Sequence, residues 1–179
     1  EKSIENALRV LLGIGGSTNA IIHLTAVAGR VGVTISLERL NALSDATPVL
    51  VDLKPTGQHY MSDLNTAGGL GAVLRELRPL LHLDCVTVTG ETLGQRLDAE
   101  PGWVDREVVR PLADPFQKGG GLAALFGTLA PSGAIIKRSA ADPALFEREG
   151  RAVVFTSLED LAKRIDAPDL DVRPADFLV

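Results

Sequence analysis

The sequence predicts an α/β fold: residues 1–105 read as the closing part of an N-terminal domain of helices around a parallel sheet, and residues 106–179 as the opening part of a β-barrel-like C-terminal domain. Three observations predict it. In the first half, helix-period segments surround one apolar run, Val49-Leu50-Val51-Asp52-Leu53. In the second half, short strand-like runs alternate with Gly and Pro turns. Between them, Asp98 to Asp105, with Pro101-Gly102-Trp103, has the composition of a loop and places the boundary there.

Taken in order, Ile4, Leu8, Leu11 and Leu12 have helix spacing, and Gly13-Ile14-Gly15-Gly16 stops that helix. A second helix starts at Ser17 or Thr18. Its apolar residues Ile21, Ile22, Leu24, Ala26, Val27 and Ala28 cover most of the circumference, which predicts burial on nearly all sides before Gly29 and Gly32. Val33-Thr34-Ile35 is strand-like, and Ser36 is a good N-cap for a helix through Leu43. The run 49–53 reads as a fully buried strand between Pro48 and Pro55. Pro55-Thr56-Gly57 is a turn; Met61, Leu64 and Ala67 lead to Gly68-Gly69; and Leu70, Val73, Leu74 and Leu77 form an amphipathic helix before Pro79. Thr89 or Gly90 caps a helix through Leu97.

Beyond the boundary, Leu122–Phe126 and Ala134–Lys137 look like a hairpin turning at Pro131-Ser132-Gly133. Arg151–Phe155 is a third strand, and Ser157-Leu158-Glu159-Asp160 opens a helix through Ile165. Exposed strand edges are expected. Glu1 opens directly into helical pattern and Phe177-Leu178-Val179 closes on apolar residues, so a piece of a longer chain is expected.

Composition narrows the function. Of 179 residues, 45% are hydrophobic, about 80 side chains, enough for one good core or two small ones. The net charge of −5 disfavours a polyanionic partner, and 4% aromatics stock neither a base-stacking platform nor a sugar-stacking cleft. One Cys excludes a disulfide framework and any metal cluster or thiolate zinc site made by this chain alone, and a reducing, cytoplasmic setting is the simplest expectation. No run approaches the roughly 20 apolar residues of a membrane helix.

The sharpest local feature is Gly15-Gly16-Ser17-Thr18-Asn19. Glycines let backbone approach a ligand, and the following helix start offers N–H groups and a positive dipole end. Gly16, Ser17, Thr18 and Asn19 are therefore candidate binding residues for a carboxylate, phosphate or polyol; the competing reading is a plain N-cap after a C-capping glycine pair. It is not a P-loop, since the spacing is wrong. His59, on the loop after Pro55-Thr56-Gly57 and beside Tyr60 and Asp63, is the histidine most suited to face an active site; His23 reads as a core histidine and His82 as solvated or structural. Cys85, in a strand-like run without a basic neighbour, reads as a small buried hydrophobe. Asp52 and Asp63 read as a strand-end residue and a helix cap, with paired carboxylates or metal ligands as the alternative. Lys118, Lys137 and Arg138 flank the hairpin; they could approach an acid substrate, although solvated charges are commoner there.

Several motifs, in one order, carry a resemblance. Gly15-Gly16-Ser17-Thr18-Asn19-Ala20-Ile21-Ile22-His23-Leu24, Asp52-Leu53-Lys54-Pro55-Thr56-Gly57, Met61-Ser62-Asp63-Leu64 with Ala67-Gly68-Gly69, Thr87-Val88-Thr89-Gly90, and Gly120-Gly121-Leu122-Ala123 through Leu129-Ala130-Pro131-Ser132-Gly133-Ala134 resemble the interior of the dihydroxy-acid/6-phosphogluconate dehydratase family. Thr128 stands where that family usually has Asn, and Thr56 where Ser is common. The tail, Gly150–Phe155 and Asp166–Val172, looks more like the sugar-acid branch, of arabinonate or xylonate type, than the branched-chain amino-acid branch.

The resemblance implies a hydro-lyase that dehydrates a 2,3-dihydroxy acid to a 2-keto acid with an iron-sulfur cluster and Mg²⁺, through two domains that flank the active site. A homodimer or homotetramer of the full-length protein is implied, with no nucleic-acid or membrane partner. It also implies that the cluster cysteines, a modified lysine and most Mg²⁺ carboxylates precede the GGSTN segment and that a serine base follows Val179. This chain would then ligate no metal, supply no catalytic residue and be inactive alone, with Gly15 to Asn19 as an active-site-facing helix start. Two other readings stand beside it: the branched-chain pathway enzyme, and a binding module that kept the scaffold without catalysis.

Overall fold

The computed structural model describes residues 1–99 and 102–179, so Pro101 of the expected boundary loop lies outside the described residues. The chain divides into two compact units, Glu1–Ala140 and Ala141–Val179. The fold mixes helices and strands. Among the described residues, the sheets are two-stranded, one antiparallel and one parallel; no multi-stranded parallel sheet and no closed barrel forms.

The first unit holds α1 (Lys2–Gly13), α2 (Thr18–Arg30), α3 (Leu37–Asp45), α4 (Met61–Thr66), α5 (Gly69–Glu76), α6 (Leu93–Ala99) and a hairpin of β1 (Leu122–Gly127) and β2 (Ala130–Lys137). Leu8, Leu12, Leu40, Leu43 and Leu122 form one buried cluster, and Leu50, Val51, Val73, Leu77 and Val109 form another. Helix α1 serves both, giving Leu8, Leu11 and Leu12 to the first while Val10, with Ile14 just past the helix end, packs on the second. Each buried leucine removes enough apolar surface from water to contribute about 1.5–3 kcal/mol. The unit runs past residue 105 because Val108, Val109 and Leu122 belong to these clusters.

Segment 49–53 is buried at Val49, Leu50, Val51 and Leu53, yet it is no sheet strand. Its backbone is satisfied piecemeal: Leu50 N–H donates to Gly13 O (2.7 Å), Asp52 N–H to Val108 O (3.0 Å) and Arg110 N–H to Leu50 O (2.8 Å). The end of a helix and loop backbone thus replace the parallel neighbours expected for it. The outer edge of β1 is likewise covered by side chains. Asn41 on α3 donates to Ala124 O (2.9 Å) and accepts from Ala124 N–H (2.7 Å), while Ser44 Oγ donates to Leu122 O. An edge that would otherwise invite another strand is matched by an amide.

Ser36 caps α3 as expected, its Oγ accepting from Arg39 N–H (3.1 Å). Five local expectations change. Helix α6 starts at Leu93, because Gly90 (φ +86°) sits in a Thr87–Glu91 turn and Thr92 with Gln95 makes the reciprocal bonds of a capping box. The hairpin turns at Thr128-Leu129, since Gly127 pairs with Ala130; Pro131-Ser132-Gly133 lie within β2. Gly133 is needed there for close approach, as a Cβ would strike Leu37 and the Phe126 ring. Val33-Thr34-Ile35 forms no strand, and the run around Cys85 reduces to one bridge, Val86 with Thr92. Finally, α2 is not buried all round: Ile21 and Ala28 are, whereas Ile22 and Val27 are exposed, with His23 beside them. The face of α2 that carries Ala20, Ile21 and Leu24 packs on the leucine cluster.

The second unit contains β3 (Ala152–Val153), α7 (Leu158–Arg164) and β4 (Phe177–Leu178), with β3 and β4 parallel. The expected strand at 151–155 keeps backbone bonds along its length, from Phe177 N–H to Arg151 O (2.9 Å) to Phe155 N–H to Val179 O (2.7 Å). Ser157 caps α7 through Asp160 N–H (3.1 Å).

Candidate functional site

Helix α1 ends in a glycine pair. Gly15 adopts φ +59°, its N–H donates to Leu12 O (3.0 Å), and Gly16 N–H donates to Leu11 O (2.9 Å). This is the double bond of a Schellman motif, which needs a residue tolerant of the left-handed region at Gly15. A Cβ on Gly16 would stand 3.0 Å from Leu11 O and press on the Leu11 side chain. Ser17 then caps α2, its Oγ accepting from Asn19 N–H (3.2 Å). The backbone is therefore a cap between two glycine-linked helices, as the plainer reading expects.

That cap also forms a wall. Gly16, Ser17, Thr18, Lys54, Pro55 and Lys137 line a cleft of about 510 Å³, a size suited to a small organic acid. Asn19 lies one residue beyond, exposed and outside the lining. Lys137, at the end of β2, donates from Nζ to Gly15 O at 2.7 Å, and burial lowers its pKa from the ordinary lysine value. Lys54 Nζ stands 3.8 Å from the centre of the Tyr60 ring. Two ammonium groups and no carboxylate line the cleft, so its charge favours an anion.

His59 lies next to this cleft in sequence but not in its lining. It is half-buried, with Nε2 3.7 Å from Asp52 Oδ2 and Nδ1 3.9 Å from Asp63 Oδ2. Both acids have structural work: Asp52 Oδ1 accepts from Gln58 N–H (3.1 Å), and Asp63 Oδ2 accepts from Tyr60 N–H (2.7 Å) at the start of α4. His82 is structural, its Nε2 2.8 Å from Glu5 Oε2 and its N–H donating to Asn6 Oδ1. His23, expected in the core, is exposed because it falls on the uncovered side of α2. Cys85 is half-buried. Of the hairpin charges, Lys118 is exposed, Arg138 bonds Gly120 O (3.0 Å), and Lys137 faces the cleft rather than open solvent. The signal for Lys137 was its place in a strand that returns beside the glycine turn; for Lys54 it was the Asp52–Gly57 motif.

Comparison with known proteins decides the family. Residues 1–96 match the model for the dihydroxy-acid/6-phosphogluconate dehydratase N-terminal region, and residues 107–179 match the corresponding C-terminal model. The chain belongs to the dihydroxy-acid/6-phosphogluconate dehydratase family. A dihydroxy-acid dehydratase of Dehalococcoides mccartyi (strain CBDB1) is 43% identical over 177 residues, 99% of this chain and 31% of that protein. An L-arabonate dehydratase of Azospirillum brasilense is 44% identical over 180 residues, again 99% of this chain and 31% of the relative. A dihydroxy-acid dehydratase of Syntrophobacter fumaroxidans is 42% identical over 181 residues, 32% of its length. The chain thus spans about a third of the length of the curated relatives it matches.

Set against the cofactors that the family resemblance implies, the residues present do not fit. A cluster needs several thiolates, and this chain has the single half-buried Cys85. Among the described residues no three His, Cys, Asp or Glu side chains gather as metal ligands.

Proposed function

We propose that this chain is the interior part of a dehydratase that converts a 2,3-dihydroxy acid to a 2-keto acid, and that it supplies the cleft wall that receives the substrate's carboxylate. The observation that carries this reading is the cleft itself: about 510 Å³, two ammonium groups, no acid, and the Gly16–Thr18 helix start on one side. A dihydroxy acid presents one full negative charge and neighbouring hydroxyls, which match ammonium donors and the Ser17 and Thr18 hydroxyls in kind. In this reading the chain binds and orients, while the iron-sulfur cluster, Mg²⁺ and the proton-removing base sit on the remainder of a longer protein. Asn19 follows on the same helix start, and His59 lies on the neighbouring loop as a residue that faces the active site once that remainder is present.

Family membership and about 43% identity to named dehydratases support the reaction class. The substrate branch we assign is the sugar acid, on the tail motifs Gly150–Phe155 and Asp166–Val172; similarity alone does not separate the branches, since the identities to the L-arabonate and dihydroxy-acid relatives are 44% and 43%. We also assign residues 1–105 to an α/β N-terminal domain and 106–179 to a β-barrel-like C-terminal domain, with the family-model limits at 96 and 107 in support. A soluble cytoplasmic homodimer or homotetramer completes the proposal. The test is the full-length protein assayed for keto-acid formation from L-arabonate and from 2,3-dihydroxyisovalerate. Faster turnover of the sugar acid is expected; preference for the branched-chain acid overturns the substrate, and no keto acid from either overturns the function.

A further inference from the structure

We infer that Lys137 is the residue that binds the substrate carboxylate in this cleft, held in place by its bond to the Gly15 carbonyl. The inference rests on the dehydratase reading above and names the group that recognises the acid. Lys137 and Lys54 are the two ionisable residues among the cleft lining, and they differ in how they are held. Lys54 is exposed and lies over the Tyr60 ring, where its charge is satisfied by the aromatic face and by water. Lys137 is half-buried, and its Nζ is anchored at 2.7 Å to Gly15 O.

The anchor matters because of what it uses and what it leaves. An ammonium carries three N–H donors, and the Gly15 carbonyl takes one. Among the described residues no carboxylate is paired with Lys137: Asp and Glu are absent from the cleft lining, and burial lowers its pKa. A partly buried cation without a counter-ion carries a desolvation cost, and an incoming carboxylate relieves that cost while gaining a charge-assisted bond. The same bond fixes the hairpin end to the Schellman turn, so the ammonium is pre-positioned beside Gly16, Ser17 and Thr18 before any ligand arrives.

The experiment uses the full-length enzyme with Lys137→Met and Lys137→Arg, reading KM and kcat for the dihydroxy acid beside the thermal midpoint. Loss of a charged hydrogen bond predicts a rise in KM of roughly 10–100-fold in Lys137→Met with kcat changed by less than about threefold, and recovery of most of that loss in Lys137→Arg. An unchanged KM, a fall confined to kcat, or an equal rise in both variants overturns the inference. A second measurement stands even if Lys137→Met folds poorly. In the unmodified enzyme KM should climb with pH as Lys137 loses its proton below the ordinary lysine value of 10.5, and Lys137→Arg should remove that climb; Lys54 is the other lysine of the lining, and Lys54→Arg should leave the climb in place. A flat profile, or a climb that persists in Lys137→Arg, overturns it. Failure of the underlying reading looks different: the unmodified enzyme then forms no keto acid, and both fall together.

Discussion

Residues 1–140 bury Leu8, Leu12, Leu40, Leu43, Leu50, Leu77 and Leu122 almost completely, whereas in residues 141–179 Val153 is the one buried apolar side chain. The smaller unit is gathered instead by Arg151, which donates to Asp171 Oδ2 (2.8 Å), to Asp171 O (2.7 Å) and to Asp176 Oδ2 (2.6 Å). Arg151 is held protonated well above the ordinary arginine range by these acids, and Asp176 is held below the usual carboxylate value by Arg151. One unit is thus fastened by area removed from water, the other by oriented charge near solvent. Apolar burial does not depend on protonation and is not weakened by ionic screening, while ion pairs open to solvent on one side respond to both. The candidate cleft lies in the unit with the apolar clusters, where a rigid frame can hold Lys137 against Gly15.

The largest effect should come from breaking the frame. Leu77→Ala removes a fully buried side chain that packs under Gly13 and should cost about 2–5 kcal/mol in denaturant unfolding of the first unit. A loss below about 1 kcal/mol would mean that the cluster is loosely packed. Next is Gly120→Ala, whose Cβ would stand 2.7 Å from Ser44 O; about 1–3 kcal/mol of overpacking is expected, with loss of the α3–β1 contact visible in amide exchange. Ser36→Ala removes the α3 cap and should cost about 1 kcal/mol, read as a lower unfolding midpoint.

Smallest, and confined to the second unit, is Arg151→Leu, which should lower protection of the Phe177 and Val179 amides while leaving amides around Leu50 unchanged. Acid should mimic it. The Asp176 pKa is lowered on folding, so its contribution is complete above the ordinary value of 3.8 and disappears as pH falls through the lower folded value. Amide protection around Asp176 should fade in that acid window and also with added salt, before the leucine clusters respond.

What the sequence disclosed followed from local chemistry. Ser36 and Ser157 as caps, the helix spacing of Leu8, Leu11 and Leu12, and the glycine stop at 13–16 need no knowledge of distant residues. What stayed hidden depends on partners. Segment 49–53 carries the composition of a buried strand whether its N–H groups meet strands or, as here, the carbonyls of Val108 and of Gly13 at the end of α1. The apolar circumference of α2 is plain in its residues, while the exposure of Ile22 and Val27 depends on what packs there. Pro131-Ser132-Gly133 has turn composition, yet Gly133 serves close approach to Leu37. At the site, Gly16 to Thr18 were legible as a cap and possible cradle, but Lys137, 122 positions from Gly15, joins them through the return of the hairpin.

The most direct test is a crystal structure of the full-length enzyme with a bound 2-keto acid product. The account predicts the product's carboxylate within hydrogen-bonding distance of Lys137 Nζ and beside the Gly16–Thr18 turn, with the Lys137–Gly15 bond intact. A product seated elsewhere, with this cleft filled by other parts of the protein or with Lys137 paired to a carboxylate of the enzyme, would contradict it.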